Sequence, residues 1–477
     1  MAVPLRNIGP CLHEVARDSA RAMRVPARVF ADDVLLLQIQ GDRSLEQLLN
    51  VATLPGMEGA ALGMPDMHQG YGFPVGGVAG TRLPDGVVSP GGIGFDINCG
   101  VRLLASQMCR EDVEPFLETI VHEISRSVPA GYGRYGRLSL TRDELDCVLQ
   151  EGCPYLLREH GMDHPEDLDF IESRGALEQA DAGEVSERAK QRGSDQLGTL
   201  GGGNHFVEIQ VAQVIFDEPA ARRLGLFLGQ VAVLIHTGSR GLGHQVCTDH
   251  VRIMDEAVAK YGIVLPDRQL ACAPLSSPEG KSYFAAMCAA ANFAWCNRQV
   301  IAHRVREVFR RVLPGQARGE LRLVYDVAHN IAKIERHGHH LVCVHRKGAT
   351  RALSPSSREI PPAYRGIGQP VLIPGSMGTA SYVLVGTEEA AAIALSSACH
   401  GAGRAMSRSA AKRHVVGSAL RRELSSRGIV VRCPSNSDLA EEAPAAYKDV
   451  DRVVDVVQRA GIARKVARFV PVGVVKG

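Results

Sequence analysis

The stretch Val231-Ala232-Val233-Leu234-Ile235-His236-Thr237-Gly238-Ser239-Arg240-Gly241 decides how the fold is read. A continuous apolar run of this length, bounded by loop residues, predicts a strand buried on both faces. The strand delivers a histidine into a turn of small residues. Leu321-Arg322-Leu323-Val324-Tyr325 reads as another strand, and it leads into Asp326-Val327-Ala328-His329-Asn330. Val371 to Ile373 and Phe469 to Val475 complete the predicted strands.

Further out, the pattern changes. Ser282 to Leu313 is alanine-rich with an apolar stripe of helical period, the longest helix expected in the chain. Residues 14–24 and Ser44 to Val51 read as short amphipathic helices. Arg142 to Glu151, Ala176 to Arg192 and Lys412 to Leu424 read as helices too. From Gly56 to Gly100 the chain is rich in glycine and interrupted by Pro65, Pro74, Pro84 and Pro90, which suits tight loops joining short strands. Pro266 to Gly280 reads as a loop. Strands mixed with helices, no internal repeat and no Pro/Ser-rich linker give a mixed α/β (α+β) class. One large domain is expected over 1–477.

The 477 residues carry a formal net charge of +2, with 45% hydrophobic and 22% charged residues, which excludes wholesale disorder and a strongly basic, histone-like chain. A local cationic groove for nucleic acid stays compatible with that balance. No apolar run approaches the length of a membrane helix. The first residues lack a signal-peptide pattern. Twelve cysteines are scattered without a C-x-x-C pair. Together these predict a cytoplasmic protein with reduced thiols and no membrane partner.

Several motifs fail on inspection. Gly131 to Gly136 spells G-x-G-x-x-G but follows a helix-like segment, where a dinucleotide site needs a strand. Gly280-Lys281-Ser282 ends like a phosphate loop, yet Leu275 stands where the earlier glycine is required. Neither H-E-x-x-H nor the K-x-D-G of lysine-using nucleotidyl ligases occurs. The histidines His337, His339, His340 and His345 sit among charged residues and read as a solvated loop.

Five segments survive, each combining small residues with metal-competent side chains. They are Gly94-Phe95-Asp96-Ile97-Asn98-Cys99-Gly100, Gly201 to Glu208 with Asn204 and His205, Ile235 to Gly241 with His236, Tyr325 to Asn330 with His329, and Cys399-His400-Gly401-Ala402-Gly403-Arg404. Each has a plainer reading: His236 as a hydrogen-bonded core residue, Cys99 as a small buried hydrophobe, Asp326 as a helix cap. Recurrence of one pattern in five separate places favours a metal site with O, N and S donors. A thiolate can bridge two cations, as phosphoryl chemistry often requires. Pro374-Gly375-Ser376-Met377-Gly378-Thr379 offers backbone N–H groups and hydroxyls for phosphate. His345 to Arg351 reads either as an exposed loop or, with Arg240, as cations for a phosphorylated chain of some length.

The set F-D-I-N-C-G-V-R, G-G-G-N-H-F-V-E, H-T-G-S-R-G-L-G, D-V-A-H-N, H-R-K-G-A-T-R-A, P-G-S-M-G-T and H-G-A-G-R resembles the RtcB family of RNA ligases, over essentially the whole chain. The resemblance implies a distinctive α/β domain whose glycine-rich loops gather around a dinuclear metal site. It implies a GTP- and Mn²⁺-dependent ligase, with two manganese ions, in tRNA splicing or RNA repair. Such an enzyme joins RNA 2′,3′-cyclic-phosphate or 3′-phosphate ends to 5′-hydroxyl ends. The route runs through a guanylylated histidine and an RNA(3′)pp(5′)G intermediate.

Carried over position by position, the metal ligands are Asp96, Cys99, His205, His236 and His329, with Cys99 shared, and the nucleophile is His400. The GTP contacts are Asn204, His205, Phe206, Val207 and Glu208, then His329 and Asn330, then Pro374, Gly375, Ser376, Met377 and Ser381. His400, Gly401, Ala402, Gly403 and Lys476 complete that set. Glu208 and Lys476 are assigned to the guanine edge, and Arg240, Lys347 and Arg408 to RNA phosphates. By softness the Cys-His-Asp donors suit Zn²⁺ as well as Mn²⁺, so manganese rests on the resemblance. Whether an archease-like activator is needed, and which RNA is sealed, stay open. Two rivals are a metal-dependent RNA cyclic phosphodiesterase without ligation and a non-catalytic RNA-binding protein.

Overall fold

The computed structural model describes residues 4–131, 136, 138–162, 164–313 and 320–477. The architecture is mixed α/β, as expected. One sheet runs Arg6–Gly9, Leu12–Val15, Ala27–Phe30, Met57–His68, Val75–Arg82, His340–Lys347, Asn330–His337, parallel only between the third and fourth strands. The other runs Arg322–Ala328, Gly100–Cys109, Gln230–Thr237, Phe206–Ile215, Ala463–Lys476, Ser381–Gly386, Pro370–Ile373 and is antiparallel throughout, with Val430–Arg432 alongside Ala463–Lys476 in parallel. The opening stretch forms the strand Gln230–Thr237, in which every residue is buried.

The long helix spans Pro278–Val312, starting four residues earlier than its apolar stripe indicates. Ser277 explains the start: its hydroxyl accepts the Gly280 N–H at 3.1 Å, and Pro278 occupies the first turn, where its missing N–H costs nothing. Its alanines let the helix approach its neighbours Arg240–Lys260, Leu117–Ser127 and Arg142–Glu151 closely. Trp295, Phe293 and Tyr283 are fully buried between them. Each such ring contributes roughly 1.5–3 kcal/mol over an exposed one.

Several local expectations are corrected. Residues 14–24 hold no α-helix: Leu12–Val15 pairs with Ala27–Phe30, and only a 3-10 turn forms at Ser19–Arg21, stopped by Ala22 in the left-handed region. In 176–192 the α-helix is confined to Glu187–Gly193, capped by Ser186. Lys412 to Leu424 divides into Arg408–His414 and Gly417–Ser426, because β-branched Val415 and Val416 adopt extended backbone between them. Met57–His68 is a long strand of 12 residues, not a short one. Pro266 to Gly280 is mostly loop, but Ala273–Pro274 pairs with Val87–Val88.

The basic segment 345–351 is no exposed loop. It runs through the buried strands His340–Lys347 and Ala349–Arg351. His345 is buried, unlike His339 and His340 at the hairpin tip. Arg346 is held by both oxygens of Glu335, at 2.6 and 2.9 Å. Within Gly131 to Gly136, positions 132–135 lie outside the described residues.

Candidate metal and nucleotide site

Strand register explains why distant motifs meet. Across the second sheet Ala328 faces Gly100, Gly100 faces Thr237, His236 faces Phe206 and Phe206 faces Lys476. The strands alternate in direction, so these six positions on five strands form one edge. The turns carrying His329, Asp96 to Cys99, His236, Asn204 and His205 all emerge there, and Lys476 joins them from the final strand.

Backbone bonds tie the turns together. The Asn98 N–H donates to the Asn330 carbonyl at 2.6 Å, and the His329 N–H to the Cys99 carbonyl at 2.6 Å. Asn98 sits at φ 50°, the left-handed conformation that lets Asp96 and Cys99 face the same point. Gly238 must be glycine, because a Cβ there would collide with the Asp96 carboxylate. His400 arrives from another direction. The strand Ser397–Cys399 pairs with Ala349–Arg351, and the Ala349 N–H donates to the His329 carbonyl at 3.0 Å.

The result is a row of donor side chains. Oxygen, sulfur and nitrogen atoms of Asp96, Cys99 and His205 lie within 4.8 Å of one another. The His205 Nε2 is 2.9 Å from Asp96 Oδ2, and Cys99 Sγ is 3.3 Å from the His236 Nε2. The rings of His236 and His329 lie 5.6 Å apart, and those of His329 and His400 lie 5.3 Å apart.

Burial pushes the His236 and His329 pKa values well below the ordinary imidazole range, so both rings are neutral donors at pH 7. Burial also pushes the Cys99 thiol well up. Burial raises the Asp96 carboxyl, but the bond and charge of His205 together with Cys99 and Arg240 outweigh this and leave it below the usual carboxylate range. Both ring nitrogens of His329 and the Nδ1 of His236 are buried with no hydrogen-bond partner among the described residues. Buried polar atoms without partners are costly, and a divalent cation would take up the lone pair of one nitrogen on each ring.

The row opens into a cavity of about 250 Å³. Its walls include Asn204, Phe206, Asn330, Pro374, Gly375, Ser376, Met377, Gly401, Ala402, Gly403 and Lys476, with Lys347 and Arg408. The Lys476 ammonium lies 5.7 Å from the centre of the Phe206 ring, and burial lowers its pKa. Other sequence-named residues stand behind this wall. Val207 packs into the core. The Glu208 Oε2 accepts from Gln210 Nε2 at 2.7 Å, and the same nitrogen donates to Ser381 Oγ at 3.0 Å. The Ser381 Oγ in turn accepts the Gly375 N–H at 3.3 Å, fixing the 374–377 loop. Burial raises the Glu208 carboxyl to about 7, and its Oε1 has no partner among the described residues. Arg240 lies outside the cavity lining: its Nε donates to Thr199 Oγ1 at 3.0 Å.

Asp66 is the functional residue that sequence reasoning misses. Fully buried near the end of the strand Met57–His68, it places its Oδ2 2.6 Å from His400 Nδ1 and also accepts the His400 N–H at 3.2 Å. Gly403, at φ 74°, is required here because a Cβ would strike the Asp66 backbone. Lys448 braces the same segment, donating to the Met67 carbonyl at 2.6 Å. His68, Arg404, Glu442 and Tyr447 complete the cavity wall. A signal for Asp66 existed in Met64-Pro65-Asp66-Met67-His68, an acid and a histidine enclosed by apolar residues.

A mixed α/β fold with Asp96, Cys99 and His205 gathered beside a cavity defines a class of metal-competent proteins. The comparisons narrow it. Residues 47–477 match the family model described as tRNA-splicing ligase RtcB, and the chain belongs to the RtcB family. It is 54% identical to the tRNA-splicing ligase RtcB of Archaeoglobus fulgidus over 99% of each chain. The tRNA-splicing ligase RtcB of Thermococcus kodakarensis is 52% identical over 100% of this chain and 99% of its own. The RNA-splicing ligase RtcB of Mycobacterium tuberculosis is 52% identical over 90% of this chain and 100% of its own.

Proposed function

We propose that this protein is an RNA ligase of tRNA splicing or RNA repair, using GTP and two Mn²⁺ ions to join 2′,3′-cyclic-phosphate or 3′-phosphate ends to 5′-hydroxyl ends. The observation that carries the reading is the His400–Asp66 pair in the wall of the cavity that the donor row enters. With Nδ1 held by the Asp66 carboxyl, the lone pair of His400 Nε2 is left for attack on the α-phosphorus of GTP. A P–N bond forms and the P–O bond to pyrophosphate breaks. At a 2′,3′-cyclic end, water attacks the phosphorus and the P–O2′ bond breaks, leaving a 2′-hydroxyl and a 3′-phosphate. The 3′-phosphate of the RNA then displaces His400 from the GMP phosphorus, and the 5′-hydroxyl displaces GMP from the activated end.

Asp96, Cys99, His205, His236 and His329 would hold the metals. Bound there, divalent ions supply Lewis-acid stabilisation of the in-line displacements. Their orphaned nitrogens and clustered O, N and S atoms fit that task. The 374–377 loop offers N–H groups to the phosphates. Lys476, in the cavity wall, is suited to the acceptor edge of guanine, while Glu208, buried behind that wall, supports the 374–377 loop through Gln210 and Ser381; Lys347, Arg240 and Arg408 are suited to RNA phosphates. The whole of 1–477 acts as one catalytic unit in this reading, because the N-terminal strands share a sheet with Asn330–His337 and His340–Lys347. The twelve cysteines, all unpaired thiols, suit a reducing cytoplasm.

The test is covalent labelling. Wild-type protein incubated with α-labelled GTP and Mn²⁺ acquires acid-labile, base-stable label, and His400→Ala acquires none. Label retained by His400→Ala would remove the nucleophile assignment.

A further inference from the structure

We propose that Tyr71, Phe95 and His244 form a stacking platform for a nucleobase of single-stranded RNA at the mouth of the cavity. The inference rests on the RNA-joining reading above and adds a subsite to it. Phe95 lines the cavity and is the chain neighbour of Asp96. Its ring stacks on His244, with centroids 4.9 Å apart and planes 28° apart. On another side it meets Tyr71 at 5.4 Å and 59°. His244 is exposed, while Phe95 and Tyr71 are half-buried, so a continuous aromatic wall leads from solvent to the donor row.

Phe, Trp and Tyr are only 5% of the sequence, and a tyrosine and a histidine packed on the cavity-lining Phe95 need a reason. None of the three holds a metal or nucleotide role in the proposed mechanism. Partial burial and the neighbouring Arg192 keep the His244 pKa below the ordinary value, so the ring is neutral and suited to stacking. Arg192 is the cation that favours a polyanion over an apolar partner: it reaches Gln245, beside His244, at 2.9 Å. The Lys347 Nζ lies 6.0 Å from the centre of the Tyr71 ring, with its pKa lowered by burial to about 7, and adds only part of a charge at neutral pH. Aromatic faces beside cations are how single strands are held without sequence preference, because every base has a π-face while the phosphates need positive charge. The platform therefore aligns the strand through a base while the donor row acts on its end.

The test is equilibrium binding of short fluorescent single-stranded RNAs with a 5′-hydroxyl or a 3′-phosphate end, with one abasic residue stepped through the terminal nucleotides. In wild-type protein one abasic position weakens binding by roughly tenfold. The same position costs His244→Ala about twofold or less, and His244→Trp restores the full penalty. The proposal is overturned if no position is base-sensitive in wild type, or if His244→Ala keeps the whole penalty. Binding is read without joining, so base-sensitive binding by a protein that never joins ends counts against the ligase reading alone. Joining without any base-sensitive position counts against the platform alone.

Discussion

Two buried polar clusters lie one above the other at the same end of the second sheet, and they are finished differently. In the lower one Arg298, fully buried on the long helix, uses its guanidinium completely. It grips Asp326 with Nε and Nη2, the carbonyls of Asn98 and Thr237 with Nη1 at 2.8 and 2.9 Å, and the Asn98 amide oxygen with Nη2 at 3.1 Å. Asp326 also accepts from Arg102 Nε at 2.7 Å, and within this cluster it is the Arg298 guanidinium that is fully satisfied, since Arg102 Nη2 has no partner among the described residues. In the upper cluster, the donor row, His329 and His236 keep buried nitrogens without partners among the described residues. A satisfied network holds backbone in place. An unsatisfied one is stable only because the first fixes the turns beneath it, and its open valences mark where a ligand belongs.

The contrast breaks most sharply at the nucleophile. His400→Ala should lower guanylyl transfer by at least about three orders of magnitude, read as label per protein, while its unfolding midpoint stays close to wild type. Asp66→Asn should lower it by roughly 10²–10⁴-fold, since an amide can present the wrong tautomer partner to Nδ1.

Next come paired substitutions in the two clusters. Arg298→Met leaves Asp326 with Arg102 as its remaining charged partner, takes the Arg298 donors from the buried Asn98 and Thr237 carbonyls, and should cost about 3–5 kcal/mol in urea unfolding. His329→Leu removes two unpartnered nitrogens and should leave metal-free stability unchanged or raise it by about 1–3 kcal/mol. Equal losses in both variants would erase the distinction.

Metal sharpens it further. Mn²⁺ at a hundredfold excess over its Kd should stabilise wild type by about 2.7 kcal/mol, seen as a rise in Tm, and His329→Leu should lose most of that rise.

The smallest effect belongs to Glu208. A buried acid whose pKa is raised from 4.5 to about 7 contributes stability that is complete below pH 4.5 and lost as pH rises through 7. Glu208→Gln should therefore be the more stable protein above pH 7, by about 2 kcal/mol, while binding GTP more weakly.

The donor row was legible because its side chains sit at strand ends and in small-residue turns, glycine-marked around Asp96, Cys99 and His205 but not around His329, that keep their identity in one dimension. Strand ends such as Ile235-His236 are local features, and antiparallel register only collects them. The lower cluster was not legible. Arg298 reads as one more polar residue in an alanine-rich helix, and its partners Asn98, Thr237 and Asp326 are joined to it by the fold alone. Asp66 escaped for the same reason, since its partner His400 lies 334 positions away. Segment 345–351 misled in the opposite sense. Its charges read as solvated, yet Glu335 and Glu172 come from other elements to neutralise Arg346 and Arg351 inside the protein.

The central claim is end joining by guanylyl transfer, and one assay meets it directly. RNA strands bearing a 2′,3′-cyclic phosphate and a 5′-hydroxyl are incubated with the protein, GTP and Mn²⁺, and the products are resolved by length. The account predicts a joined strand that disappears without GTP and with His400→Ala. Opening of the cyclic phosphate with no joined product, at equal rates with and without GTP, would contradict it and identify a phosphodiesterase.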